Sequence, residues 1–190
     1  MLLKFRDIKT KFAISLHWVV DTMRGIDHIQ TTFNLPYGIT FKLNSTENKK
    51  YQLAALSDES HDKSVCLAGI LAKFYPNLIL VHRVSEQLYW LCVIKNGVIW
   101  SGVDLAKSTA GDYLDDYDSV KEVAEFAKQD FKDAGLLGPD VLLATDTAQD
   151  GFPDFAPTNF IELILKLEKN KRKFLIKYIL TFSLRGNLCI

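Results

Sequence analysis

Two apolar runs joined by Asn96-Gly97 constrain the fold of this 190-residue chain more than any other feature. An Asn-Gly pair is the preferred centre of a type I′ turn, because both central residues must adopt positive φ, and such a turn closes a two-residue β-hairpin. The turn also fixes the register. The expected pairs are Lys95 with Val98, Ile94 with Ile99, and Val93 with Trp100.

The first strand of this hairpin is apolar on both of its faces. Side chains alternate along a strand, so one face would carry Trp90, Cys92 and Ile94 and the other Tyr89, Leu91 and Val93. A strand of this kind is typical of a sheet that is buried on both sides. We therefore expect the hairpin to be central, with residues 78–84 as a third strand of an antiparallel meander.

Helices are predicted on either side of the meander. Residues 64–75 show helical periodicity that Pro76 ends, and Ser119 with Glu122 forms a capping box for a helix that Gly135 closes. Residues 141–145 read as a short buried strand, followed by a polar loop over 146–157. Asn159 with Glu162 then caps a last helix, whose packing stripe is Phe160, Leu163, Ile164 and Leu167.

The first 60 residues are predicted as strands over 26–33, 37–43 and 51–56, with an exposed turn over 44–50. Residues 12–20 are expected to begin as a strand and become helical. The order of elements predicts an α/β fold with a mixed sheet. Helix-then-strand connections after a meander also occur in the ribonuclease-H/actin half-domain, which is an analogy at the level of the fold. We divide the chain into an α/β domain over 1–157 and a C-terminal helix and tail over 158–190.

Charge is unevenly distributed although the net charge is zero. Residues 104–154 carry 4 Lys or Arg against 13 Asp or Glu, a balance of −9, and residues 155–190 carry 7 against 2, a balance of +5. The acidic middle argues against a nucleic-acid surface, and the basic end suits anionic lipid. Cys66, Cys92 and Cys189 are scattered without a CxxC motif, which favours a reducing compartment.

The basic cluster follows the last helix. It consists of Lys169, Lys171, Arg172 and Lys173, and Lys177 lies one turn inside the apolar residues 174–182. Positive charge followed by apolar residues is typical of the cytoplasmic entrance to a membrane. A complete span needs about 20 mostly apolar residues, so this span is begun and not completed. The alternative is an amphipathic helix that lies on its own domain or on a lipid surface.

Arg185 does not suit a membrane span. If a helix entered the bilayer at Phe174, a rise of about 1.5 Å per residue would place Arg185 roughly 16 Å deep, near the bilayer centre. We therefore expect that residues 183–190 are not part of a natural membrane span, or that they are the end of a truncated chain.

Residues typical of enzyme chemistry are sparse, and we expect neither catalysis, a cofactor nor a bound metal. The sequence has no GxxxxGK[ST] or GxGxxG motif. The four histidines, His17, His28, His61 and His82, are far apart, although His17 could meet Asp21 if that segment were helical. The alternative is an actin-like nucleotide-binding protein, for which the candidate carboxylates are Asp104, Asp146 and Asp150.

The densest acidic cluster contains Asp112, Asp115, Asp116 and Asp118. It lacks the spaced ligands and the closing Glu of a calcium loop. We interpret it as charge at the entry of the following helix, where anions are favourable. The alternative is a surface that docks a basic partner, for which we select Asp115, Asp116 and Asp118.

Residues 50–135 resemble the cytoplasmic N-terminal region of the bitopic inner-membrane assembly proteins of type IVb pili. The resemblance is carried by the small residues Leu67, Ala68 and Leu71 on a helix, the Tyr89-Trp90 pair, the Asn96-Gly97 turn, and Gly102 leading to Asp104. The basic cluster and the apolar residues near 174 lie where that family crosses the membrane.

The resemblance implies an actin-like fold, similar to cytoplasmic domains of type II secretion and pilus platform proteins, that does not work as an ATPase. It implies a scaffold at the bacterial inner membrane with its N-terminal domain in the cytoplasm. The implied partners are the hexameric assembly ATPase and the polytopic platform protein. No catalytic residues carry over. A peripheral lipid-binding protein and self-association both stay open.

Overall fold

The computed structural model describes residues 1–5, 8–22, 37–42, 50–56, 64–100, 111–146 and 151–170. These ranges contain twelve strands and three helices. The strands are β1 (Leu2–Phe5), β2 (Ile8–Ala13), β3 (His17–Thr22), β4 (Tyr37–Lys42), β5 (Lys50–Leu56), β6 (Val65–Cys66), β7 (Leu78–Arg83), β8 (Tyr89–Lys95), β9 (Val98–Ile99), β10 (Asp112–Asp115), β11 (Leu142–Thr145) and β12 (Ala156–Pro157). The helices are α1 (Leu67–Phe74), α2 (Tyr117–Asp133) and α3 (Phe160–Asn170).

The largest sheet is mixed and has the order β10-β8-β7-β11-β12, with β9 also beside β8. Strands β7 and β8 are antiparallel, β8 is antiparallel to β9 and β10, and β11 returns parallel to β7 after helix α2. Strand β12 is parallel to β11. This arrangement confirms the predicted α/β class with an antiparallel meander in a mixed sheet.

The predicted turn closes the hairpin between β8 and β9. Asn96 and Gly97 have φ values of 54° and 75°, and the pairs Ile94 with Ile99 and Lys95 with Val98 are as expected. The backbone N–H of Trp100 donates to the carbonyl of Val93 at 3.0 Å, which continues the same register.

Two short strands, β9 and β10, pair with different parts of β8 on the side away from β7. Strand β9 pairs with the end of β8 nearest the turn and β10 with the rest, and Gly111 directly abuts Trp100. A Cβ on Gly111 would lie 2.2 Å from the carbonyl oxygen of Trp100 and 2.6 Å from its nitrogen. Because both are backbone atoms, only glycine fits at this junction. Residues 101–110 lie outside the described ranges.

The central sheet is buried on both faces, as predicted. On one face Trp90, Cys92 and Ile94 belong to a core shared with α1, α3 and the small sheet β1-β2-β6. On the other face Tyr89, Leu91 and Val93 belong to a core shared with α2. Helices α2 and α3 therefore lie on opposite faces of the sheet.

Two of the predicted helix starts are wrong. Residues Val65–Cys66 form β6, paired with β2, and α1 begins at Leu67 with Cys66 as its N-cap. Helix α2 begins at Tyr117, because the side chain of Asp116 accepts from the backbone N–H of Ser119 at 2.8 Å. The predicted capping box of Ser119 with Glu122 is thus replaced by a cap three residues earlier.

The predicted end of α2 and the predicted cap of α3 are confirmed. Gly135 has a φ of 67°, and the N–H groups of Gly135 and Leu136 donate back to the carbonyls of Lys132 and Phe131 in a Schellman arrangement. At the start of α3, the backbone N–H of Glu162 donates to Oδ1 of Asn159 at 3.2 Å. The four apolar residues of the predicted α3 stripe are all buried.

The N-terminal segment is more extended than predicted. Residues 12–20 contribute to strands β2 and β3 instead of becoming helical, and the turn between the strands passes through Ser15 with a φ of 56°. In strand β3, His17 and Asp21 are separated by four rises of about 3.3 Å, so they do not lie on neighbouring helical turns.

A third sheet has the antiparallel order β3-β5-β4. It confirms the strands predicted over 37–43 and 51–56. The strand predicted over 26–33 and residues 44–49 of the predicted turn lie outside the described ranges.

The loop after β11 is not simply polar, which corrects our prediction for 146–157. Phe152 and Phe155 are buried in the α2 core, where their rings meet edge to face with centroids 5.2 Å apart. The division of the chain at residue 157 stays a prediction.

Candidate functional site

Asp112 does not belong to the solvated acidic cluster, which corrects the sequence interpretation. Its side chain is fully buried. It begins strand β10 opposite Cys92, on the face of the sheet that carries Trp90. This carboxylate is therefore part of the core and not of the charge at the helix entry.

Four N–H groups donate to the Asp112 carboxylate. Oδ1 accepts from the backbone of Ser15 and the indole of Trp90, both at 2.7 Å. Oδ2 accepts from the backbone of Leu16 and the indole of Trp18, both at 3.0 Å. The carboxylate therefore ties the turn between β2 and β3, and β3 itself, to the central sheet.

The surroundings of Asp112 determine its ionisation. Burial raises the pKa of the carboxyl above its ordinary value, and the hydrogen bonds from Trp18, Leu16, Trp90 and Ser15 oppose that shift. The same burial, with the negative charge of Asp112 next in importance, raises the pKa of the Cys66 and Cys92 thiols. Both cysteines are buried and free, so they behave as inert core residues.

The predicted docking residues Asp115, Asp116 and Asp118 lie together at the start of α2. Asp115 accepts from the hydroxyl of Tyr113 at 2.5 Å and from the backbone N–H of Asp116 at 2.9 Å. Asp116 is the cap of the helix, and Asp118 is exposed on its first turn. Two of the three therefore have local structural contacts, and their docking role stays a prediction.

The ionisation of Tyr113 depends on its burial and on this cluster. Burial, followed by the hydrogen bond to Asp115 and its negative charge, raises the pKa of Tyr113 to about 12. The hydroxyl stays protonated and keeps donating to Asp115 at neutral pH.

An exposed aromatic residue, Phe126, lies on the outer face of α2 and was missed by the sequence analysis. Its side chain is 49% exposed, and its ring centroid lies 6.1 Å from that of the buried Trp100. Asp130, one turn along the helix, accepts from the Trp100 indole at 2.9 Å and from Lys95 Nζ at 2.7 Å. The helical periodicity could have identified Phe126 as exposed, because it lies outside the buried stripe of α2. That stripe consists of Val120, Val123, Ala124, Ala127 and Phe131.

A histidine–aspartate pair lies where two parallel strands end. His82 near the end of β7 bonds through Nδ1 to Asp146, which follows β11, and Asp146 also accepts from the backbone N–H of Arg83 at 3.0 Å. The His82 ring stacks on Phe160 with centroids 3.7 Å apart. The carboxyl ends of parallel strands are the usual place for ligands in α/β sheets. Here the pair joins β7, β11 and α3.

The structure describes only one of the three carboxylates that were candidates for nucleotide binding. Asp146 pairs with His82, whereas Asp104 and Asp150 lie outside the described ranges. Within those ranges, no group of three or more His, Cys, Asp or Glu could hold a metal ion.

The basic cluster lies at the C-terminal limit of the described structure. Lys169 is in the last turn of α3, and Lys171, Arg172, Lys173 and Lys177 lie outside the described residues, as do 183–190. Across residues with a described structure, no helix is both long enough and apolar enough to traverse a bilayer.

No protein-family model matches the chain, and no curated protein matches it. The chain is similar to a solved structure titled "Crystal structure of the cytoplasmic domain of BfpC", with 14% sequence identity and a TM-score of 0.41. The match covers 75% of this chain and 81% of the other.

Proposed function

We propose that the protein is a non-enzymatic scaffold of type IVb pilus biogenesis. In this role its α/β domain binds the cytoplasmic assembly ATPase, and its C-terminal end holds the domain at the inner membrane beside the polytopic platform protein. The sequence resemblance supports the place of the protein in pilus biogenesis. The packing of α3 on the domain supports the link between domain and membrane.

The attachment of α3 supports the link between domain and membrane. Phe160, Leu163, Ile164 and Leu167 are at most 7% exposed, in the core that also holds Trp90. The basic cluster begins in the last turn of this helix at Lys169. Because the helix that carries Lys169 is packed on the domain, whatever holds this end of the helix also positions the domain.

Electrostatics give the domain an orientation. Each Lys or Arg near an anionic bilayer contributes about 1 kcal/mol of binding. The acidic α2 packs on the opposite face of the central sheet from α3. Anionic lipid would attract the end that carries the cluster and repel the α2 side, which leaves α2 facing the cytoplasm.

Vesicle flotation tests the membrane part. The full chain should float with vesicles of phosphatidylglycerol and phosphatidylethanolamine, and reversal of Lys171, Arg172 and Lys173 to Glu should abolish flotation at low salt. Reversal of Lys11, Lys73 and Lys132, which are exposed elsewhere, changes the net charge equally and should preserve it. Equal flotation of both triple variants would contradict the proposal.

Calorimetry with Mg-ATP tests the non-enzymatic part. The scaffold proposal predicts no binding heat and no ATP turnover by the purified chain. Micromolar binding that is lost in Asp104→Ala or Asp150→Ala would favour the actin-like alternative instead.

A further inference from the structure

Helix α3 exposes two large apolar side chains on its outer side, opposite the stripe that it buries in the core. Ile161 is 53% exposed and Leu165 is 38% exposed. Residues four positions apart are neighbours on a helix surface, so these two lie side by side, and position 169 is the next in the same row. We call Ile161, Leu165 and Lys169 the α3 ridge.

The α3 ridge leads into positive charge. Within α3 two lysines balance two glutamates, so the helix itself carries no net charge. One of the glutamates, Glu162, accepts from Nδ2 of Asn159 at 3.2 Å, which holds its carboxylate at the N-terminal end of the helix. At the other end, residues 171–173 add three positive charges directly after the helix. The apolar part of the ridge is therefore followed by a basic part.

This combination suits the surface of an anionic bilayer. A helix binds such a surface through the apolar area that it buries and through attraction of its basic residues to the headgroups. The α3 ridge supplies the apolar area, and the basic cluster supplies the charge. Ile161 and Lys169 are eight residues apart, about 12 Å along the helix axis. With α3 parallel to the bilayer, both parts would meet the same surface.

The other side of the domain is consistent with this orientation. Helix α2 carries five Asp or Glu against three Lys, and it packs on the opposite face of the central sheet from α3. Each packed layer is about 10 Å thick, so α2 would lie about 20 Å from α3. Electrostatic repulsion is screened over about 8 Å at physiological salt. Contact through the α3 ridge thus keeps the acidic helix beyond the range of anionic lipid.

We infer that the α3 ridge lies on anionic lipid, with Ile161 and Leu165 at the boundary between headgroups and acyl chains. Residues 171–190 contain five Lys or Arg and no Asp or Glu. Folding them over the ridge would bring like charges to Lys169, whereas anionic headgroups would attract all of them. The inference rests on the proposed function and names the surface through which the domain meets the membrane. A second copy, or residues of this chain outside the described ranges, would instead cover the ridge in water, which the experiment detects.

The first measurement is binding of the full chain to vesicles of phosphatidylglycerol and phosphatidylethanolamine at about 0.15 M salt. Ile161→Ser with Leu165→Ser should weaken binding about tenfold, because the lost contacts are apolar. Phe126→Ser with Leu137→Ser is the matched control, since these side chains on and just after α2 are 49% and 37% exposed. The control should bind like wild type, and circular dichroism should show that both variants are folded.

The second measurement locates the lipid contact directly. A fluorescent label is attached to Leu165→Cys or, as the control, to Leu137→Cys. Both are made in a Cys189→Ser background, because Cys66 and Cys92 are buried. On vesicles that contain spin-labelled lipid, the label at position 165 should be quenched and the label at 137 should not. In water without vesicles, iodide should quench both labels.

The remaining outcomes overturn the inference in distinguishable ways. If the full chain floats but either the tenfold loss or the quenching at 165 is missing, the α3 ridge is rejected and the membrane part of the proposed function stands. If the full chain does not float, both are rejected. Protection of position 165 from iodide in water would assign the ridge to a second copy where protection rises with protein concentration, and to the chain's own residues where it does not.

Discussion

The indole N–H of Trp90 donates to Oδ1 of Asp112 at 2.7 Å, and neither side chain reaches solvent. This bond joins two strands of the central sheet on the face that meets the N-terminal turn. A buried indole requires an acceptor, and a buried carboxylate requires several donors. Trp90 and Asp112 therefore depend on each other to be buried without loss of hydrogen bonds.

Asp112→Asn should lower the free energy of unfolding by about 2 kcal/mol or more. An amide has one oxygen, so its NH₂ group would face two of the four donors that the carboxylate now accepts from. Chemical denaturation measures the change. Asp118→Asn, on the exposed first turn of α2, is the matched control and should be near neutral.

The contribution of Asp112 should also depend on pH. Burial raises the folded-state pKa of Asp112 above its ordinary value of 3.8, so between these two values the folded protein holds more protons than the unfolded chain. Stability due to this group therefore falls as pH rises through that window and is constant above it. The difference in unfolding free energy between wild type and Asp112→Asn should grow on acidification from pH 7 towards about 4. A difference that shrinks on acidification would contradict the assignment.

Gly111→Ala should be severely destabilising, because the added Cβ would lie 2.2 Å from the backbone oxygen of Trp100. Backbone atoms of paired strands cannot shift without breaking the sheet, so we expect a loss of about 3 kcal/mol or more. Gly138→Ala is the control, since nothing lies within 4 Å of its added Cβ. Thermal unfolding of both variants checks the contrast, and equal midpoints would refute the described junction.

Asp116→Ala should lower the free energy of unfolding by about 1 kcal/mol through loss of the α2 cap. Its side chain accepts from the backbone N–H of Ser119, which would otherwise lack an acceptor within the helix. Ser119→Ala tests the competing cap predicted from sequence and should have a smaller effect. The reverse order in urea denaturation would restore Ser119 as the N-cap.

Local patterns predicted the central part of the fold. The Asn96-Gly97 turn set the register, alternation in β8 set both faces, and the α3 stripe set its buried side. These features depend on neighbours in sequence, where backbone preferences and side-chain periodicity decide the result.

The role of Asp112 could not be predicted because its donors are distant in sequence. Ser15 and Trp18 lie 97 and 94 residues away, and the adjacent acidic residues made the carboxylate resemble part of a solvated cluster. The available clue was that Asp112 begins a strand beside Trp90, whose buried indole needs an acceptor. The α2 start was misplaced for a related reason, since both Asp116 and Ser119 suit an N-cap and the tertiary fold selected the former.

The central claim is that one chain links a cytoplasmic ATPase to the membrane, and co-flotation of three components tests it most directly. The assembly ATPase should float with phosphatidylglycerol-containing vesicles only when the full chain is present. It should stay at the bottom when the chain carries Lys171→Glu, Arg172→Glu and Lys173→Glu. If the full chain floats and the ATPase does not, or if the ATPase floats equally without the chain, the scaffold account is contradicted.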